Sequence, residues 1–328
     1  MRLPGPCGPV SGRVVESLQG GRELRPVAIG NEPVLVDRDV QMALWVLYEL
    51  FYRGFEGVDA GREWDPELIT LRGVIERRVE RELRSATRGR LNQLLAREEA
   101  VGDLILDLVE EDEGPSLSSF LRRDATVEQM RDFLSQRSVQ QLKESDPQAF
   151  LIPRLTGRAK AALAELQYDE FGGGRASHLH QDMYAETLVS AGLDPRYGAY
   201  IDEATAVTLA AANVMSLLAL NRRLVPVGVG HFAAFEASSS VPSRRIAAGL
   251  ERLGLGAAAR YFEEHVEADA VHEQIAARDV CGAVVEQTPD LLSEVVFGAL
   301  CTVHLDRLSA DDLLTRWGVA GDESEAAS

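Results

Sequence analysis

His265, Asp269 and His272 stand at i, i+4 and i+7 in the run YFEEHVEADAVHE, residues 261–273. At 3.6 residues per turn they fall within an arc of roughly 60°, so a helix would point all three the same way. Two imidazoles and a carboxylate on one face are a first-row transition-metal ligand set, and imidazole with oxygen donors suits iron. The run carries the carboxylates Glu263, Glu264, Glu267, Asp269 and Glu273, with no basic residue before Arg278. An ordinary surface helix interleaves Lys or Arg to relieve that repulsion. The competing reading is a solvated acidic face that includes two histidines.

Three further carboxylates could join such a site. Leu155, Ala159, Ala162, Leu163, Leu166 and Glu170 share one helical stripe, whereas Asp169 shares its face with Arg158 and Glu165. A carboxylate ending a buried stripe is costly unless a cation meets it, although a helix-end Glu can also turn out to water. Glu236 lies inside HFAAFEA and needs a buried partner, either a metal or one of Arg222, Arg244 and Arg245. Glu144, two residues before Asp146-Pro147, reads by itself as a surface residue. In the HLH motif, His180 shares a helical face with the apolar Met183 and Leu188, while His178 groups with Gln181 and Asp182. His231 and His304 have no acidic or histidine neighbour at ligand spacing and read as structural.

The elements that must position these residues are helices. Apolar residues recur at helical spacing from Val40 to Tyr52. Asp65-Pro66-Glu67 gives an N-cap, a proline at the first helical position and an acid in the first turn. Further helical patterns cover 98–110, 127–145, 156–170, 180–191, 203–223, 243–253, 257–277 and 290–305, with a segment around 230–237. Alternating-period strands are almost absent, so the fold class is all-α. Residues 1–36 are rich in Gly and Pro and read as a loose arm. The acidic EEDEGPS suggests a boundary near Glu113, dividing an N-terminal arm with accessory helices (1–113) from a main domain (114–318). The small, polar residues of 319–328 read as a disordered tail.

Composition narrows the function classes. The chain has 328 residues, 45% hydrophobic and 26% charged, enough for a sizeable core. A formal net charge of −18 argues against a nucleic-acid or anionic-membrane binder, which would be repelled. Cys7, Cys281 and Cys301 are far apart without a CxxC, as expected for reduced thiols. MRLPGPCGPV has no apolar core of a signal peptide, and 207–220 is too short to span a bilayer. The expected location is the cytoplasm.

The stretches LKESDP, LQYDEFGGGRASHLHQDMY, HFAAFE and HVEADAVH together resemble the haem-oxygenase-like diiron oxidases, often labelled iron-containing redox enzymes. The His-x-x-x-Asp-x-x-His of the last is the most specific signature, and the resemblance covers roughly 116–317. It implies a haem-oxygenase-like helical bundle with an additional helical N-terminal region. It also implies a ligand set of Glu144, Glu170, His180, Glu236, His265, Asp269 and His272 for two iron ions cycling between Fe2+ and Fe3+. Dioxygen would be the co-substrate for N-oxygenation, oxidative C–C cleavage or decarboxylation of a small molecule. An electron donor is expected, and a homodimer is allowed. Tyr168, Tyr184 and Tyr261 adjoin ligands and could relay protons or electrons, or simply pack. Ferritin-like diiron bundles instead use Glu-x-x-His on two helices, a pair this chain lacks. Two other classes stay open. One is a metal-free relative, thiaminase-like or quinone-cofactor-synthase-like, where a hydrolase would need an activated Cys such as Cys281. The other is a non-catalytic iron-binding helical protein.

Overall fold

The first helix lies where composition suggests a loose arm. The structure is a computed structural model that describes residues 1–319 except 21, 22, 25, 26, 31 and 115, with only the backbone of 267–270. In it α1 spans Pro9–Gly20 and buries Val10, Val14, Val15 and Leu18. Its opening amides are met from a distance, since the Asp39 carboxylate accepts from Val10 N at 2.8 Å and Ser11 N at 2.7 Å. A cap supplied 28 residues away leaves no local signature, which is why the Gly- and Pro-rich sequence conceals the helix.

Then follow α2 (Arg38–Tyr52), α3 (Pro66–Leu95) and α4 (Val101–Glu110). Asp37 and Asp65 cap α2 and α3, the latter as the sequence predicts. α5 (Leu117–Arg123) and α6 (Val127–Gln141) come next, α6 opening on a Thr126–Gln129 capping box. The helical pattern suggests that α6 continues to Ser145. It stops at Gln141 because Lys143 turns inward to a buried ion pair with Glu49, 2.8 Å away. Ser145 then takes a left-handed φ of 65° before the short α7 (Asp146–Ala149). Glu144 therefore sits on a tight turn rather than on a helix.

The remaining helices are α8 (Gly157–Glu170), α9 (His180–Ser190), α10 (Ala206–Leu220), α11 (Val225–Ala237), α12 (Ser240–Arg252), α13 (Arg260–Gln274), α14 (Gly282–Gln287) and α15 (Leu292–Arg316). A π-helical turn, Ile275–Cys281, joins α13 to α14. No strand occurs among the described residues, and the fold is all-α. The expected boundary near Glu113 falls in the turn between α4 and α5. Packing crosses it: Leu44 and Ile75 share a core cluster with Leu209, Leu217 and Phe297. The proposed disordered tail lies, from residue 320 on, outside the described residues.

One helix pair fixes the middle of the molecule. α11 and α15 approach at Gly230 and Gly298, where a Cβ would overlap the carbonyl oxygens of Val295 and Val227 respectively. Only glycine permits that contact. It sets α11, and with it Glu236, near the end of α8, α13 and the turn after α6.

Candidate metal centre

Six of the seven proposed ligands converge in two overlapping groups. Glu144, Glu170, His180 and His265 form one, and Glu170, Glu236 and His272 the other, with one donor atom of each residue within 4.8 Å of its fellows. All six are buried. The seventh, Asp269, follows His265 by one turn of the α13 backbone, but its side chain lies outside the described residues. His231 and His304 belong to neither group among the described residues.

Glu144, Glu170 and His180 are delivered by a turn or a helix end and Glu236 by the last turn of α11, whereas His265 and His272 project from α13. Glu170 is the last residue of α8 and His180 the first of α9. Between them Gly172, Gly173 and Gly174 adopt φ of 71°, 60° and 79°, left-handed values that let the loop fold back. His180 Nδ1 thereby comes to 3.0 Å from Glu170 Oε2. His178 stays in the preceding loop, outside both groups. A carboxylate at the C-terminus of α8 faces the negative end of the helix dipole, so its position calls for positive charge nearby.

Glu170 occupies both groups. Oε2 faces His180 and accepts from the Ser145 hydroxyl at 3.2 Å, while Oε1 lies 3.6 Å from His272 Nδ1. Burial works against its charge, yet the hydrogen bond from His180 and the charges of His180, His265 and His272 bring its pKa down to about 2. Burial likewise opposes the charged form of His180, but the Glu170 partner wins and its pKa rises. Glu236 turns to His272, Oε2 to Nδ1 at 3.4 Å.

Around these groups lies a set of orienting bonds. The Tyr261 hydroxyl donates to both oxygens of Glu144, at 2.7 and 2.8 Å. Gln141 Nε2 adds a bond to Glu144 Oε1 at 3.0 Å. His265 Nδ1 lies 2.7 Å from the Tyr261 carbonyl, which as an acceptor fixes the Nδ1–H tautomer and presents Nε2 to Glu144, 3.6 Å away. His272 Nε2 faces Asp169 Oδ2 at 3.4 Å, leaving Nδ1 toward Glu170 and Glu236. Sequence phase marks Asp169 as solvated, and it is more than half exposed, yet it steers a buried imidazole. Gln141 lies only three residues before Glu144, but its bond to Tyr261 and that of Ser145 to Glu170 join residues far apart in the chain and leave no signal in the sequence. Of the three tyrosines, Tyr261 touches the centre, Tyr184 donates to Leu134 O at 2.8 Å as a packing residue, and Tyr168 is exposed.

The donor chemistry fits iron. Neither Glu144 nor Glu170 pairs with Lys or Arg among the described residues; their ionic partners are imidazoles. Carboxylates this deeply buried need a compensating cation, and mixed imidazole–carboxylate sets suit first-row metals. A space of about 10 Å³, the size of one water or ion, is lined by Glu144, Glu170, Glu236 and His265. Beside it a cavity of about 810 Å³ reaches Glu144, Tyr261 and His265 from the side of α15. Cys281, the nucleophile a hydrolase would need, is buried with its thiol pKa pushed far up, its sulfur 3.3 Å from Val229 O.

Comparison with protein families matches residues 131–307 to the iron-containing redox enzyme family, more than half of the chain. The chain belongs to the iron-containing redox enzymes. Every described residue of both groups falls inside the matched segment. As a member of this family the protein is an oxidoreductase with a helical, haem-oxygenase-like fold. Comparison with curated proteins gives no match. No helix among the described residues of this iron-containing redox enzyme is long and apolar enough to cross a membrane.

Proposed function

We propose that the protein is a dioxygen-dependent diiron oxidase or oxygenase of a small organic molecule. The observation that carries this reading is the double membership of Glu170, whose two oxygens face different sets of ligands. One iron position would use Glu144, Glu170, His180 and His265, and the other Glu170, Glu236 and His272. Asp269, one turn from His265, completes the seven. Iron held in such a set supplies the redox steps that turn dioxygen into an oxidant for N-oxygenation, C–C cleavage or decarboxylation. The residues of the chain do the rest. Tyr261 and Gln141 hold Glu144 in place, and Asp169 holds the His272 ring. Burial keeps bulk water from the centre, and the neighbouring cavity offers room for a substrate of ordinary metabolite size. A reductant from outside the chain is part of this reading.

The test is reconstitution with ferrous iron in the absence of air, followed by elemental analysis and oxygen uptake. Close to two irons per chain are expected, with uptake abolished in His265→Ala and His272→Ala and kept in His304→Ala. His180→Ala should lose iron where His178→Ala retains it. A single bound zinc with no iron above a blank would sink the proposal.

A further inference from the structure

The turn that carries Glu144 is held from outside by the end of α2, which lies beyond the matched family segment. Two side chains do this. Glu49 takes the buried Lys143 ammonium, and the Tyr197 hydroxyl donates to the same carboxylate oxygen at 2.6 Å. Arg53, just past α2, sends Nη2 to the Leu142 carbonyl at 2.9 Å and to Gln181 Oε1 at 3.0 Å. It also lies 3.7 Å from Asp146 Oδ2, and its guanidinium rests over the Tyr197 ring, 3.9 Å from the centroid.

Gln181 carries the link inward. Its Nε2 donates to the Glu144 carbonyl and to Asp146 Oδ1, each at 2.8 Å. A carbonyl and a carboxylate can only accept, so that end of the amide is the nitrogen and the oxygen faces Arg53. Gln181 directly follows His180, which opens α9 without a side-chain cap. The turn has no helix to hold it either, since α6 ends at Gln141 and Ser145 is left-handed. Arg53 thus joins two segments, and each supplies a ligand to the same group: Glu144 from the turn and His180 from α9. Glu236 and His272 of the other group come from α11 and α13, which Arg53 does not bond.

We infer that Arg53 is a positioning residue for the metal centre: through Leu142 and Gln181 it holds Glu144 and His180 at their working separation, and so serves one iron position and not the other. This deepens the diiron reading above and rests on it, and it makes the end of α2 part of the centre's framework. Charge alone predicts the opposite sign. Deleting a cation close to the site would favour a bound divalent metal, whereas a loosened turn weakens it.

Arg53→Met keeps an unbranched apolar stem and removes the guanidinium. The full-length protein is followed first without metal, by hydrogen exchange and mass spectrometry. Peptides covering 142–146 and 179–183 should exchange at least about tenfold faster, the worth of one charged hydrogen bond, while those of α11 and α15 match the parent. Ferrous iron is then titrated without air against a chromogenic chelator. One iron should bind at least about tenfold more weakly and the other within about twofold of the parent. Gln181→Leu should act in the same way, and it carries the test should Arg53→Met fail to fold. The double variant should lose less than the two single losses combined, because both act on one turn. Faster exchange throughout, unchanged exchange in the two segments, equal weakening of both irons, unchanged affinity or tighter binding would each overturn the inference. A parent that takes up no iron strikes the diiron reading, and the exchange comparison still decides whether Arg53 holds the two segments.

Discussion

Replacing Tyr261 by Phe removes one oxygen atom from the centre and little else. The ring keeps its edge-on packing against Tyr184, with centroids 4.9 Å apart, and its contact with the His265 ring at 4.2 Å. What goes is the hydroxyl that donates to both oxygens of Glu144. Gln141 Nε2 then remains as a donor to Glu144 at 3.0 Å, having lost its own bond to the phenol at 2.6 Å. A hydrogen bond to a buried charged group is worth about 1.5–3 kcal/mol. Loss of a residue that orients a metal ligand weakens metal binding about 10- to 100-fold, or about 1.4–2.7 kcal/mol. The two figures agree because they describe the same event, a carboxylate freed to leave its working orientation. Burial and the Glu144 charge hold the Tyr261 pKa far above its ordinary value, so the donor is present throughout the neutral range and the loss should not vary with pH there. Ferrous affinity is read by competition with a chromogenic chelator without air, and the stability of the metal-free protein by urea denaturation. An affinity within about twofold of the parent would refute the argument that Tyr261 positions Glu144 for a metal.

Other expectations concern the scaffold. Burial lowers the His231 pKa from 6.5 to about 4. The unfolded chain therefore takes a proton that the folded chain refuses, and stability falls as pH drops from 6.5 to about 4, by about 3 kcal/mol in all. His231→Gln, compared with the parent in a chelator, should flatten that part of the urea-midpoint profile; an unchanged slope would assign it to other groups. Lys143→Met should cost about 3–5 kcal/mol by stranding the Glu49 carboxylate, and adding Glu49→Gln should recover part of it, which denaturation of single and double variants measures. Gly298→Ala should destabilise by at least about 3 kcal/mol, because α11 cannot withdraw from the new methyl group without moving Glu236. Gly89→Ala, in open space on α3, should raise the melting temperature, with a gain of about 0.5–1 kcal/mol.

Much of the helical order is local in origin, and residue patterns suffice for it. Asp65-Pro66-Glu67 caps α3 with groups adjacent in the chain, and the stripe from Leu155 to Glu170 marks the buried face of α8. His265 and His272 are set on one face by helical periodicity alone. Helical phase points to His180 over His178, and the structure brings only His180 to the centre, but because α9 begins at His180 and leaves His178 in the preceding loop. Where helices end is less legible, because the stop can come from outside: α6 ends at Gln141 on account of Lys143 and its partner Glu49, which is 94 residues away in the chain.

The pairing of the ligands is a tertiary result. Nothing near Glu144 distinguishes it from a surface residue; the Tyr261 hydroxyl, contributed by α13, makes it part of the centre. Asp169 and Glu170 adjoin in sequence, and phase sends one to solvent and one inward, but only the folded chain shows both acting on His272 from opposite nitrogens. α1 depends on Asp39 in the same way. Residue types and periodicity determine which chemistry the chain can carry, since ligand class and helical phase are properties of short segments. Which carboxylate faces which imidazole, and that Glu170 faces two groups, is decided by packing, because hydrogen bonds and close contacts join residues that sequence separation hides.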